Sequence, residues 1–473
     1  MRRLGEITRT VRWPAIALAA MIAARTIGLS SLCHQRYFTF HSYWPIDLAN
    51  INQAIWNAAH GRPQKVTILY DGLREHFDHL LMALSPVYWF SDSIFWVFFF
   101  YSLIISSGIL AVYLLAKREI SGEVIPLLLA LQYAVFPFLV RLNIDQLRGD
   151  LMAVPMLLFA YFFYSEKRFR LFIFFIAGAL LCKESVAAPV VIWGLYALIQ
   201  RRSSKWVLLP ILSGLGVLAF TMWIYNPMVL GIQYRHTHLG GLPENLGLGL
   251  FLDGASWIFL FRTFFAHGGL ISVLSPVPLL MAAPLLGPVF VWPGLLQHPM
   301  WYHVLVPTVA FVMVSMVGGT ERLLSFFSDR RAGPAVVFGV LLVGVVLMVF
   351  QAGSSYRWYR QSDEDRAIWS LIDQIPRDAF VAAPPLVLPA LSGRDRVHSL
   401  VMKKRRGHDL DPMKADFVLL NVNEVIWSKT ADAPNVKKLD SLYFSTIDEI
   451  RTSSDFDRIE RKRDWELYRR IAP

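Results

Sequence analysis

The chain has 473 residues, 55% of them hydrophobic, only 17% charged, with mean hydropathy +0.44. A soluble domain carries roughly 25% charge. With apolar residues in blocks over about the first 350 positions, this excludes a soluble globule, a disordered chain and a collagen-like chain. The net charge of +11 does not call for nucleic acid. Residues 353–473 hold 21 Lys and Arg against 19 Asp and Glu, a net of +2, which leaves +9 for the apolar part. Basic residues there set membrane orientation.

In chain order, the opening MRRLGEITRTVR precedes an apolar stretch from Trp13 to about Leu32. It is long for a signal peptide and has no clear small-x-small cleavage site, so it is read as a retained first span. Further spans are expected near 93–116, 122–140, 150–165, 169–182, 185–200, 205–225, 268–282, 284–297, 301–319 and 333–352, about eleven in all. Basic clusters (Arg2, Arg3, Arg9 and Arg12; Lys117 and Arg118; Lys167, Arg168 and Arg170; Arg201, Arg202 and Lys205; Arg322, Arg330 and Arg331) all fall on one side of an alternating topology. The positive-inside rule makes that side cytoplasmic. The N-terminus is then inside, and the loop 33–92, the loop 226–267 and the C-terminal region are outside the inner membrane.

Residues 353–473 resume soluble patterning. Ser362, with Asp365 three residues on, approximates a capping box for a helix through Ile375. Short β-like runs follow at 380–382, 416–420 and 465–468. The fold class is mostly α: a polytopic transmembrane bundle, residues 1–352, with a small α/β extracytoplasmic domain, residues 353–473.

Ionisable residues at membrane depth are costly and usually functional or paired. The segment from Leu48 to Ala59 has helical apolar spacing suited to lying along a membrane surface. Asp47, just before it, is either the helix N-cap or a carboxylate projecting into a crevice. His76 and His79 in REHFDH could share a helical face, but two histidines make a weak metal site. In RLNIDQLRGD, local ion pairs suit Arg141 and Asp145, while Arg148 and Asp150 stay candidates. Lys183-Glu184, between two apolar blocks, reads as an internal ion pair or as a lysine facing a phosphate. Arg235, His236 and His238 read as a solvated loop or a head-group patch. His298 and His303 flank Trp301 and Tyr302, whose rings suit an aromatic belt. Cys33 and Cys182 have no metal or redox spacing, and no disulfide between them is expected. No P-loop, dinucleotide fingerprint, zinc tetrad or nucleophile elbow occurs.

The runs DLANINQAIWNAAHG, REHFDHLLMALSPVY, RGDLMAVPMLL, LCKES, HPMWYHVLVPTVAF and IPRDAFVAAPPLVLPALSGRDRV, then ADFVLLN, resemble a domain-of-unknown-function family of predicted polytopic membrane proteins, similar to the GT-C glycosyltransferases. The resemblance implies a GT-C fold whose first outer loop carries a catalytic carboxylate, here Asp47. It implies transfer of a sugar from a polyprenyl-phosphate carrier to a glycan, lipid or protein acceptor at the outer face of the cell envelope. Asp150, Lys183-Glu184, Tyr302 and His303 match further family positions. The chain departs at Asn52 (usually Asp), Arg148-Gly149 (usually His-Pro), Ser185 (often acidic) and Asp78-His79 (usually small-Pro).

The resulting expectation is an inverting transfer with Asp47 as general base. Lys183, Arg148, Arg235, the loop histidines and the polar groups near Tyr302 would face the lipid phosphate. A divalent metal is compatible, though no ligand set demands one. The rivals are a transporter or lipid flippase, against which stand the lack of a repeat between halves and charges crowded on one face, and a non-catalytic sensor or assembly partner.

Overall fold

The computed structural model describes residues 12–68, 72–73, 77–145, 147–229, 253–266, 269–291, 299–328, 330, 332–401, 411–423 and 440–471. Among them, six helices are long and apolar enough to cross a membrane, and shorter apolar helices pack between them. The bundle is built from α1 (Arg12–Phe38), α3 (Ile94–Ser106), α4 (Gly108–Glu119), α5 (Val124–Ala134), α6 (Pro137–Asp145), α7 (Gly149–Ser165), α8 (Phe169–Leu180), α9 (Ala187–Ile199), α10 (Ser204–Ala219), α12 (Val277–Val291), α13 (Thr308–Phe326) and α14 (Gly333–Ala352). The helix α2 (Pro45–Ala59) lies in the loop between α1 and α3, and α11 (Gly254–Leu260) precedes α12.

Buried Arg25 on α1 staples this bundle. Its Nε donates to the Ala134 carbonyl at 3.0 Å and its Nη1 to Ser106 Oγ at 3.0 Å. Charge in an apolar interior is tolerated when bonded in this way. Nearby, a Cβ on Gly108 would sit 2.3 Å from the Tyr133 ring. The missing side chain lets Tyr133 Oη donate to the Ile105 carbonyl at 2.7 Å.

The region 268–297 differs from the expected pair of spans. One helix, α12, runs across their boundary with Pro284 and Pro288 inside it. It is preceded by α11, a π-helical turn Phe261–Phe265 and a 3-10 segment Gly269–Leu274. Proline removes one backbone donor and bends a helix, but packed neighbours allow the helix to continue.

After the bundle, Ser362 caps α15 (Asp363–Ile372) in a full capping box with Asp365, and the helix ends three residues before the expected Ile375. A five-stranded sheet follows, from β3 (Val381–Ala383), β4 (Val397–Ser399), β5 (Phe417–Asn421), β6 (Phe456–Lys462) and β7 (Trp465–Arg470), in the order β4-β3-β5-β7-β6. The first three strands are parallel; β7 pairs antiparallel with both β5 and β6. A short helix α16 (Leu388–Leu391) connects β3 to β4, and α17 (Asp440–Thr452) precedes β6.

The sheet docks on the loop that carries α2. Ile68 accepts from the Ser399 backbone N–H at 3.0 Å, and Thr67 Oγ1 bonds both the N–H and the carbonyl of Val397. The loop therefore covers edge strand β4, whose exposed groups would otherwise invite pairing with another chain. A two-stranded ladder, β1 (Lys65–Val66) with β2 (Gly72–Leu73), holds the loop's own shape. The helix α2 does not lie on the surface with one apolar stripe. Ile51 and Ile55 join the bundle core, while Ile46 and Ala49 join the core of the sheet. Its amide face is buried as well: Gln53 Nε2 donates to Thr67 Oγ1 and to the Arg394 and Asp395 carbonyls, and Asn57 Nδ2 donates to the Lys65 carbonyl. It is a wedge between two cores.

Candidate functional site

Pro45 opens α2, where its missing N–H costs nothing; Trp44 holds the N-cap position, and its side chain does not cap the helix. Asp47 is thus not the cap. It sits in the first turn, where a negative charge complements the helix dipole, and its Oδ2 accepts from Arg148 Nη2 in an ion pair. The Arg148 side chain is 8% exposed and that of Asp47 31%. Oδ1 of Asp47 makes no hydrogen bond among the described residues.

Arg148 is the extended residue before α7. The buried Tyr101 Oη on α3 clamps its backbone twice, donating to its carbonyl and accepting from its N–H, each at 2.9 Å. Arg148 Nη1 lies 3.5 Å from His303 Nε2, and His303 Nε2 lies 4.0 Å from Asp150 Oδ2 in the first turn of α7. Asp47, Arg148, His303 and Asp150 therefore form one run of charge and imidazole at the sheet end of the bundle.

Gly149 makes the meeting possible. A Cβ there would fall 2.1 Å from the Cys182 carbonyl oxygen and 3.1 Å from Asp78 Cβ. Only glycine lets the segment before α9 press against the start of α7. Leu80 N–H donates to the Leu181 carbonyl at 2.9 Å, tying the first loop to the same place. Lys183, next along, is extended and 4% exposed, and its ammonium makes no hydrogen bond or ion pair among the described residues. The internal Lys183–Glu184 ion pair is therefore not formed. Cys33 and Cys182 are both buried free thiols.

His79 is a packed histidine. Its Nδ1 lies 3.2 Å from Gln64 Nε2, and its ring meets the edges of Phe77 and Tyr225. Burial holds its pKa below the ordinary value, with Asp78 opposing. The expected local pair of Asp145 with Arg141 is present at 3.6 Å, and a long-range pair with Arg36 at 2.5 Å joins it. His76, Arg235, His236, His238 and His298 lie outside the described residues. Among the described residues no group of three or more His, Cys, Asp or Glu could hold a metal ion.

A cavity of about 590 Å³ is reached by sequence neighbours of this run, and Asp47, Arg148, Asp150 and His303 are not among its lining residues. Tyr43, four residues before Asp47, and Tyr302, beside His303, line it together with Phe259, Arg141, Asp145 and Arg262. The Tyr302 ring packs on Phe259 with centroids 4.8 Å apart. Sequence reasoning missed Tyr43, Tyr101 and Arg262. The tyrosines carry no signal in the sequence, but an arginine inside LFRTFF carried the usual signal of a costly charge.

Solved structures with a similar fold include ArnT from Cupriavidus metallidurans bound to undecaprenyl phosphate, at 10% identity and TM-score 0.54 over 97% of this chain and 98% of that chain. The apo form of the same protein matches at 12% identity with the same coverage and TM-score. The Archaeoglobus fulgidus oligosaccharyltransferase in complex with zinc and sulfate matches at 11% identity and TM-score 0.45, over 85% of this chain and 68% of that chain. ArnT is a GT-C glycosyltransferase, and the fold of this chain is GT-C-like. No curated protein matches the sequence. The family model described as Predicted membrane protein (DUF2079) matches residues 45–446, so the chain belongs to that family of predicted membrane proteins.

Proposed function

We propose that the protein is an inverting membrane glycosyltransferase taking a sugar from a polyprenyl-phosphate donor. In this reading residues 1–352 form the catalytic domain in the inner membrane, with the N-terminus inside, and residues 353–473 form an extracytoplasmic domain. The observation that carries the reading is Asp47: Arg148 holds one carboxylate oxygen and the other is unbonded among the described residues, while the 590 Å³ cavity is lined by Tyr43 and Tyr302, close in sequence to Asp47 and His303. The undecaprenyl phosphate bound to ArnT gives the donor class its precedent.

Asp47 Oδ1 takes the proton of an acceptor hydroxyl as that oxygen bonds to the anomeric carbon. The bond from that carbon to the phosphate oxygen breaks, and its electron pair leaves with the lipid phosphate. Arg141 and Arg262 in the cavity wall, and Lys183 behind Gly149, offer positive charge where the leaving group develops negative charge. Tyr302 and Tyr43 offer hydroxyls at the mouth. Asp150 orients His303, which with Arg148 holds the base side of the site. His76, Arg235 and His236 are assigned to substrate by their place in the outer loops. No step needs a metal from these residues.

The test offers polyprenyl-phosphate sugars and cell-envelope acceptors to the purified protein in lipid nanodiscs. Sugar transfer is expected, and Asp47→Asn should lower its rate about a hundred- to ten-thousand-fold while the protein still folds. Unchanged transfer would remove Asp47 as the base. Solute uptake or lipid scrambling without sugar transfer would replace the reading with a transporter or flippase.

A further inference from the structure

A second cavity, of about 390 Å³, lies between the sheet and the bundle, away from the Asp47 run. Its wall includes Trp56 and His60 at the end of α2, Tyr37 at the end of α1, Asp373 after α15, Ala390 in α16, and Gly393 and Arg394 between α16 and β4. The volume is within the range of small-ligand sites, and the lining is more polar than apolar.

The decisive group is Arg394, which is 6% exposed. Its Nε donates to the Leu391 carbonyl, and its Nη1 to the Pro376 and Ala379 carbonyls. All three acceptors are neutral, no ion pair reaches the guanidinium among the described residues, and Nη2 has no acceptor there. A buried cation normally has a carboxylate or other anion beside it. Its pKa is pushed down to about 10 by burial and by neighbouring Arg377, with Asp378 opposing, as a cation short of negative charge should be. Asp92, a carboxylate in the same cavity wall, is already engaged with Arg377 in an exposed ion pair.

The other unspent groups define the rest of the ligand. His60 uses only Nδ1, on the Trp56 carbonyl, and stacks on Trp56 with centroids 3.9 Å apart, which leaves Nε2. Asp373 is an exposed acceptor at the rim. Asn52 is already spent on Ser392 and Tyr88. One fixed cation, one imidazole nitrogen and one carboxylate match a molecule bearing an anionic group together with hydroxyls. An alkyl chain matches none of them.

We infer that this cavity binds an anionic saccharide, with its carboxylate or phosphate on Arg394 Nη2 and its hydroxyls on His60 and Asp373. The inference is independent of whether the protein transfers sugar. Tyr37 and Ile94 place the cavity level with the ends of two bundle helices, so both a free sugar acid and the head group of an acidic glycolipid carry the required chemistry.

The test titrates the full-length protein in nanodiscs with cellobiouronic acid, cellobiose and inorganic phosphate by calorimetry. The uronic acid is expected to bind at least about tenfold more tightly than cellobiose, the worth of one charge-assisted hydrogen bond. Arg394→Gln should abolish that preference, and Ala390→Phe should fill the cavity and block the sugar without touching the charge. Thermal unfolding reports whether each variant folds, and Ala390→Phe decides the matter if Arg394→Gln does not. Adding glucuronosyl-diacylglycerol to the nanodiscs separates the sources: competition with the free disaccharide marks a head-group site, and its absence marks a soluble ligand. Equal binding of acid and neutral sugar, no binding of either, or binding that survives Ala390→Phe would overturn the inference.

Discussion

Asp47 and Arg148 stand 101 positions apart and form an ion pair joining the first turn of α2 to the residue before α7. The pair exists only because both helix starts are fixed by other groups: Pro45 for the first, Tyr101 and Gly149 for the second.

Tyr101→Phe tests that support. It removes both hydrogen bonds to the Arg148 backbone inside the bundle and should cost about 1–3 kcal/mol of stability. If the clamp positions Arg148, the proposed transfer should lose rate with little change in donor affinity. Thermal unfolding and steady-state kinetics measure the two effects.

Gly149→Ala places a methyl group where the Cys182 carbonyl already is. Relieving the overlap should cost about 1–3 kcal/mol and move Lys183 away from the start of α7. A lowered unfolding temperature together with weaker donor binding is the expected result.

Asn52→Asp installs the acid that the family resemblance leads one to expect here and should nonetheless destabilise the protein. Asn52 Nδ2 donates to Ser392 Oγ at 2.8 Å, and Oδ1 accepts from Tyr88 Oη at 2.5 Å. Ser392 Oγ already donates its only hydrogen to the Pro389 carbonyl. A carboxylate would face that oxygen without a proton between them, costing about 1–3 kcal/mol. Faster proteolysis of the region 381–401 is the measurement.

Acid should weaken the first loop through His79. Burial depresses its folded pKa below the unfolded value of about 6.5, so the unfolded chain binds the proton more tightly. The stabilisation is present above that value and is lost as the pH falls below it. The unfolding temperature should therefore drop between neutral and mildly acidic buffer, and less so in His79→Gln.

The bundle was legible because apolar blocks and basic clusters obey simple membrane rules. The region around α12 was not, since its prolines are breakers in water and only bends among packed helices. The strands β5 and β7 showed as apolar runs; β6 did not, because its charged residues sit on an exposed face. Asp47, Arg148 and Asp150 stood out singly as costly charges. Their meeting depends on Gly149 and Tyr101, whose importance lies in what they touch. The amides of α2 were unreadable for the same reason: Gln53 finds its partners about 340 positions away.

The wedge position of α2 makes it a lever. Asn52 and Gln53 are fastened to the segment before β4, and Asp47 rides on the same rigid rod, about 9 Å from Gln53 at the helical rise of 1.5 Å per residue. A shift of the sheet by an ångström is carried to the carboxylate at similar amplitude. Whatever seats or tilts the C-terminal sheet thereby sets the aim of that carboxylate, without touching it.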